Sequence, residues 1–374
     1  MMEEQSILHP STVLVTGGSG GLASQILRLF SQHGCKQLHS VDLRPSSRPL
    51  DGIKYHTGDL TDLEAMRRVF QHAKPDVVIH TASPKFDTPN RILYKVNVEG
   101  TKTLIQVAKE VGSRSFVYTS SASVISDAKT DLKNADESFP VILDDQQPEY
   151  YVYTKAVAET YVLSQNDRTQ GPSPPFLTCA IRPSGIFGFG DLVVLPGILD
   201  AYYRGQTKVQ IGDNRNLFDF TENTNVAYAH YLAAVALVKS QKSLPEENAK
   251  VDGEAFFITN DEPQCFWDFT RLVWGYAGDT TRPDQVWVIK RSWALLLAGM
   301  LEWVFWAFGR EAPLTRTKVR LSCMTRYFCV DKAKRRLGYK PIVGLKDGLK
   351  RAVDDCVSRR NTGLGVNGAL EKRQ

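Results

Sequence analysis

Residues 148–159 read PEYYVYTKAVAE, three tyrosines just ahead of a lysine. On a helix, Tyr151 and Lys155 stand four positions apart and share a face, whereas Tyr150 and Tyr153 point elsewhere. A phenol is a poor acid or base at neutral pH, but a neighbouring ammonium favours the phenolate and brings its pKa toward the working range. Such a phenolate can take the proton of a substrate hydroxyl. A solvated surface helix can carry the same spacing, so the pair gains meaning only from supporting residues. YTSSAS (118–123) offers three of them, Ser120, Ser121 and Ser123, as donors to hold a substrate oxygen.

VLVTGGSGGLAS (13–24) places Gly17, Gly20 and Ala23 at intervals of three between a strand and a helix. The first position allows a tight turn, the second lets backbone approach a pyrophosphate, and the third needs a small residue where helix meets strand. Asp42 follows Gly20 by 22 residues at the end of the next strand. Its carboxylate suits the ribose hydroxyls of NAD and repels a 2′-phosphate, while Arg44 leaves NADP possible. With a bound nicotinamide as hydride acceptor, the tyrosine and lysine become the acid–base half of an alcohol oxidation.

These residues need a frame to hold them. Continuous apolar runs at 12–17, 37–42, 76–83, 115–121, 177–183 and 254–260 alternate with helical patterns at 22–34, 60–73, 97–112, 151–165 and 225–239. Thr61 is the expected N-cap of the second helix. The alternation predicts an α/β fold, a doubly wound parallel Rossmann sheet covered on both faces, with a smaller, mostly helical substrate-binding region. The expected division is a dinucleotide-binding unit over 9–185, rejoined by 222–260, and a substrate region over 186–221 and 264–360. PSGIFGFGDLVVLPG (183–197) reads as loop, and 361–374 as a disordered tail.

Composition excludes other classes. The chain has 374 residues, 23% of them charged, and a net charge of +5 with no basic arm, which argues against nucleic acid. The six cysteines show no metal-ligand spacing, so no metal is expected and a reduced, intracellular protein is the simplest reading. No signal peptide fits the acidic start. His80 and His230 read as hydrogen-bonded core histidines, and DKAKRR (331–336) as a solvated helix face. WALLLAGMLEWVFWAF (293–308) falls short of the roughly 20 residues a spanning helix needs. It reads either as a helix in a membrane interface, framed by Lys290, Arg291 and Arg310, or as the lining of an apolar pocket.

VTGGSGGLAS, VDLRP, GDLTD, HTASP, NVEGT, VYTSSASV, YVYTKAVAE, RPSGIFGFGD, FITNDEP and RYFCVDKAKRRLGYKP together resemble the extended short-chain dehydrogenase/reductases. Within them the chain is most similar to the 3β-hydroxysteroid dehydrogenase family, in its branch that decarboxylates 4α-carboxysterols. The resemblance implies Ser121 as the substrate-orienting serine, Tyr151 as acid/base, and Lys155 as its partner and a contact of the nicotinamide ribose. It implies Gly17, Gly20 and Asp42 around the pyrophosphate and adenosine, Asp59 near the adenine, Ala82 beside the cofactor and Pro183 near the carboxamide. It also implies NAD-dependent oxidation of a 3β-hydroxyl with loss of the C4 carboxylate as CO2, on a sterol or triterpenoid. The alternative is oxidoreduction of a 3β-hydroxysteroid or another ketone or alcohol without decarboxylation. The expected setting is the cytosolic face of the endoplasmic reticulum membrane, peripherally bound through 293–308, with a cytoplasmic location as the alternative. A homodimer or the other C4-demethylation enzymes are the expected partners. The family carries Phe and Gly where this chain has Gly21 and Ala23, and the segment SDAKTDLK (126–133) also departs, leaving room for a specialised paralogue.

Overall fold

Strands such as VLV (13–15) and VVI (77–79) carry apolar side chains on both faces, so they must be covered on both sides. The computed structural model, which describes Leu8 and residues 11–362 apart from 36, 144–145, 170–173, 244 and 311, places them in one seven-stranded sheet. Its strands are β1 (Thr12–Thr16), β2 (Gln37–Asp42), β3 (Ile53–Thr57), β4 (Val77–His80), β5 (Ser115–Thr119), β6 (Leu177–Pro183) and β7 (Glu254–Ile258). They run in the order β7-β6-β5-β4-β1-β2-β3, every pair parallel. The order reverses between β1 and β4, which opens a crevice at the carboxyl ends of those strands.

Alternate side chains enter two cores. Val13, Val15, Ile79, Val117 and Ile181 pack under α1 (Gly21–Gln32). Leu14, Val78, Phe116 and Ala180 face α2 (Leu63–Ala73) and α3. Helix α3 starts at Asn90–Tyr94, passes through a π-helical turn at Lys95–Gly100 and continues as Thr101–Glu110, seven residues earlier than the sequence pattern suggests. Helix α4 (Tyr150–Ser164) follows β5 on the same side. Three local expectations are corrected. Asp62, not Thr61, caps α2 by accepting the Ala65 N–H at 3.0 Å. β3 lies where no strand is predicted, and α5 (Val194–Tyr203) fills part of the expected loop.

Helix α6 (Asn223–Ser240) packs along α1, completing the first face. Beyond the sheet, α7 (Phe266–Tyr276) joins α5 and the late helix Leu345–Asn361 around Phe187, Phe220 and Phe269. A four-stranded sheet of Gln264–Cys265, Leu217–Phe218, Arg326–Phe328 and Leu132–Ala135 lies beside it. Helix α8 (Arg291–Ala307) buries only Ala294 and Ala298, against Val319 of α9 (Arg316–Cys323), and Glu302 ties the two helices by accepting from Arg316 N at 2.8 Å. Two further helices, α10 (Asp331–Leu337) and α11 (Leu345–Asn361), finish the described chain. Asn361 therefore belongs to α11, not to a tail, and 363–374 lie outside the described residues.

Candidate active site

The carboxyl ends of β1, β2, β4, β5 and β6 bring the predicted residues to one edge. After β1 the chain turns at Gly17, whose φ of +76° favours glycine; its N–H donates to Val41 O at 2.8 Å. A Cβ there would lie 2.9 Å from Ala82 Cα, so the ends of β1 and β4 touch only because residue 17 is glycine. Gly20 is the N-cap of α1, and a Cβ there would meet nothing but Gly17 O, leaving its outer face open to a phosphate at a helix N-terminus. Asp42 ends β2 and accepts the Ser19 N–H at 2.9 Å, which holds its carboxylate over the glycine loop. Asp59 is exposed and accepts from Thr61 N and Oγ1, both at 2.8 Å, forming a turn ahead of α2. Pro183 ends β6, buried beside Ser184.

Tyr151 and Lys155 lie on the inward side of α4. Lys155 is 2% exposed, and burial pulls its pKa down from its ordinary 10.5 to about 7, against the opposing charge of Glu159. Its Nζ sits 4.3 Å from the centroid of the Tyr118 ring. Tyr151 is half-buried; desolvation raises its pKa, while a hydrogen bond with Ser83 lowers it. The protein alone therefore does not bring Tyr151 to the phenolate. Tyr150 and Tyr153 pack on one another, their rings tilted by 41° with 5.6 Å between centroids.

Ser121 caps a short 3-10 turn (Ala122–Ile125), its Oγ accepting the Ser123 N–H at 3.1 Å. Tyr151 packs on the apolar cluster built by that turn, so serine and tyrosine share one wall. Ser120 is buried with an Oγ that has no partner, as is the hydroxyl of Tyr118. A glycine cradle, an acidic strand end and a buried lysine at one edge of the sheet fit a nicotinamide dinucleotide.

Further neighbours brace the site, Glu159 and Arg182 among them without a sequence reading of their own. Ser83 Oγ donates to Asn97 Oδ1 at 2.9 Å, Asn97 Nδ2 donates to Thr154 Oγ1 at 2.9 Å, and Thr154 Oγ1 donates to Tyr151 O at 2.7 Å. With the Tyr151–Ser83 hydrogen bond the path closes on Tyr151 and fixes the start of α4 against the π-helical turn. Arg182 reaches both Glu159 oxygens through Nε, at 3.1 and 3.0 Å, a buried ion pair beneath Lys155. An arginine inside the apolar LTCAIRP and an acid one turn after Lys155 were the available signals.

The histidines are structural, as expected. His80 Nδ1 lies 2.7 Å from Thr16 Oγ1 and Nε2 lies 2.9 Å from Thr101 Oγ1; His230 bonds Thr119 Oγ1 and Val226 O. Burial pushes them down to about 3 and about 4, so both are neutral at pH 7. Gly21 packs against a crossing segment, where a Cβ would fall 2.9 Å from Phe189 O and 3.0 Å from Gly190 O. A bulkier residue at this position has no room here.

A parallel sheet with this crevice, a glycine turn into α1 and a tyrosine–lysine helix after β5 define an oxidoreductase of the extended short-chain dehydrogenase class. The family model of the 3-beta hydroxysteroid dehydrogenase/isomerase family matches residues 14–291. The chain belongs to that family. It is 40% identical, over 91% of its length and 97% of the relative's, to the decarboxylating sterol-4-alpha-carboxylate 3-dehydrogenase of Saccharomyces cerevisiae. Its identity to the mouse protein of the same description is 32%, over 91% of this chain and 89% of the other. Among solved structures it is similar to gox2253, with a TM-score of 0.69 at 25% identity over 94% of this chain and 99% of that one. It shares its fold with the dTDP-glucose 4,6-dehydratase of Bacillus anthracis in complex with NAD, at a TM-score of 0.64 and 17% identity over 94% and 98% of the two chains.

Proposed function

We propose that this protein oxidises the 3β-hydroxyl of a 4α-carboxylated sterol or triterpenoid to the 3-ketone with NAD, releasing the C4 carboxylate as CO2. The carrying observation is Tyr151 and Lys155 on the buried face of α4, beside the β1/β4 crevice, in a chain 40% identical to a decarboxylating sterol dehydrogenase. Ser121 donates a hydrogen bond to the C3 oxygen, and Tyr151 accepts the hydroxyl proton. Bound NAD supplies the hydride acceptor and a positive ring which, with Lys155, favours the Tyr151 phenolate. Gly17, Gly20, Asp42, Asp59, Ala82 and Pro183 are the residues that would hold it.

The product of this oxidation carries its ketone β to the carboxylate. The bond from C4 to the carboxyl carbon can then break, its electron pair passing into the enolate as CO2 leaves. Tyr151, now protonated and still beside that oxygen, returns the proton to it. One site with bound NAD thus serves both events.

Peripheral binding to a membrane surface, as at the endoplasmic reticulum, belongs to this proposal. On α8 and just beyond it, Trp293, Leu296, Met300, Trp303, Trp306 and Phe308 are 62 to 77% exposed, and Lys290, Arg291 and Arg310 flank them. An apolar face with basic flanks suits an anionic bilayer surface, where such a substrate resides.

The test is to supply the purified protein with NAD and a 4α-carboxy-3β-hydroxysterol and to follow NADH and CO2. Stoichiometric formation of both is expected. NADH from an uncarboxylated 3β-alcohol, with none from the acid, would favour the non-decarboxylating alternative.

A further inference from the structure

Arg326 starts a short strand between Leu217–Phe218 and Leu132–Ala135, and its carbonyl accepts the Asp219 N–H at 3.0 Å. Its guanidinium lies against the rings of Phe218 and Phe328, 5.7 and 5.9 Å from their centroids. Nη2 donates to Ser123 Oγ at 2.5 Å, and Nε is buried with no partner. Among the described residues no carboxylate forms an ion pair with it. Glu149, two residues before Tyr151, is the one charge that raises its pKa against a lowering by burial. Desolvating a guanidinium without a counter-ion is costly, and proteins rarely tolerate it without a use.

We infer that Arg326 receives the C4 carboxylate of the substrate, an inference that rests on the decarboxylating reading above. The placement fits the substrate's own geometry. Ser123, which holds the guanidinium, donates its N–H to Ser121 Oγ at 3.1 Å, and Ser121 is the residue assigned to the C3 oxygen. The carboxylate sits on the carbon next to C3, so its receptor must stand beside that serine. The Nε–Nη2 edge of a guanidinium matches a carboxylate bidentately, and here Nε is unclaimed while Nη2 has a second hydrogen to give. Phe218 and Phe328 keep water from the pair, which strengthens it, and present apolar surface to the fused rings.

The experiment compares kcat/KM for a 4α-carboxy-3β-hydroxysterol, its methyl ester and the uncarboxylated alcohol, using the full-length protein with NAD. Arg326→Gln is expected to lower kcat/KM for the acid by about 30-fold more than for the uncarboxylated alcohol, as loss of one member of a buried charge pair does. Arg326→Lys, which keeps the cation but not the fork, should restore part of that difference. An equal fall for both substrates would overturn the assignment. Wild-type protein gives a second measurement should the variant fail to fold: the acid is expected to have a KM about 30-fold below that of its ester. Equal values would overturn the assignment as well. Wild-type protein that uses the uncarboxylated alcohol as readily as the acid and releases no CO2 overturns the decarboxylating reading, and this inference with it. Preference for the acid that survives Arg326→Gln overturns the role of Arg326 alone.

Discussion

Glu159 lies one helical turn beyond Lys155 on α4 yet turns its carboxylate to Arg182, whose Nε bridges both oxygens at 3.1 and 3.0 Å. All three residues are buried, so each charge acts on the others through little water. The lysine feels two opposing influences: burial drives its pKa down to about 7, and Glu159 holds it up.

The pH dependence follows in sign. Folding lowers the pKa of Lys155 from 10.5 to about 7, so between those values the unfolded chain binds the extra proton and stability rises with pH. Glu159→Gln removes the charge that resists this shift, extending the window to lower pH, and leaves Arg182 without its partner. Breaking a buried pair in this way is expected to cost about 3 kcal/mol by urea denaturation. The double variant Glu159→Leu/Arg182→Met should recover most of that stability. It should not recover the wild-type pH–rate profile, because Lys155 still lacks its acid. A wild-type profile in the double variant would show that Glu159 serves only the fold.

Tyr151→Phe should lower turnover by about 1000-fold or more, the upper part of what a positioned acid–base group supplies. NAD affinity, measured by fluorescence titration, should change little, since Lys155 and the glycine turn remain. Tyr150→Phe loses only a hydroxyl outside the site and should stay within about threefold of wild type in rate. The opposite ranking of the two variants would move the acid–base role to Tyr150.

The parts of this site that were legible in sequence are local ones. Gly17, Gly20 and Asp42 are separated by a strand, a turn and a helix, and Tyr151 and Lys155 by one turn, so spacing alone places them. Ser83 and Asn97, Glu159 and Arg182, and above all Ser123 and Arg326, 203 residues apart, meet only through the folded sheets. The missed elements have local causes. β3 (IKYHT) is an edge strand whose polar residues hide its period. Helix α5 carries Pro196 and Gly197 in its first turn; the proline is tolerated because a first-turn N–H has no intrahelical partner, and Asp191 accepts the Val193, Val194 and Leu195 N–H groups instead.

Asp42 is expected to decide the cofactor. Its Oδ2 takes the Ser19 N–H at 2.9 Å and its Oδ1 only a long contact from the Arg44 N–H at 3.4 Å, so Oδ1 keeps a lone pair for a ribose hydroxyl, with Arg44 exposed two residues on. Asp42→Ala should lower kcat/KM with NAD by about 10-fold while that with NADP rises or holds, because a hydrogen bond to a charged group and a repulsion are removed together. An unchanged NAD/NADP ratio would mean that residues other than Asp42 read the ribose.

Helix α8 offers the last prediction. No helix among the described residues is long and apolar enough to cross a membrane. Trp303 and Trp306 are nevertheless 69% and 77% exposed, and the Glu302–Arg316 tie fixes how their face is presented. Water opposes leaving indoles so exposed, whereas an interface accepts both the ring and its N–H. The paired substitution Trp303→Glu/Trp306→Glu should weaken cosedimentation with phosphatidylcholine vesicles containing phosphatidylserine by about 10-fold or more, through lost apolar burial and added repulsion. Binding of the wild type should fall with added salt, as the share due to Lys290, Arg291 and Arg310 is screened. Turnover of a detergent-solubilised substrate should stay near wild type, because both tryptophans lie outside the crevice. Equal vesicle binding by the two proteins would remove α8 as the contact and leave its apolar face to another chain.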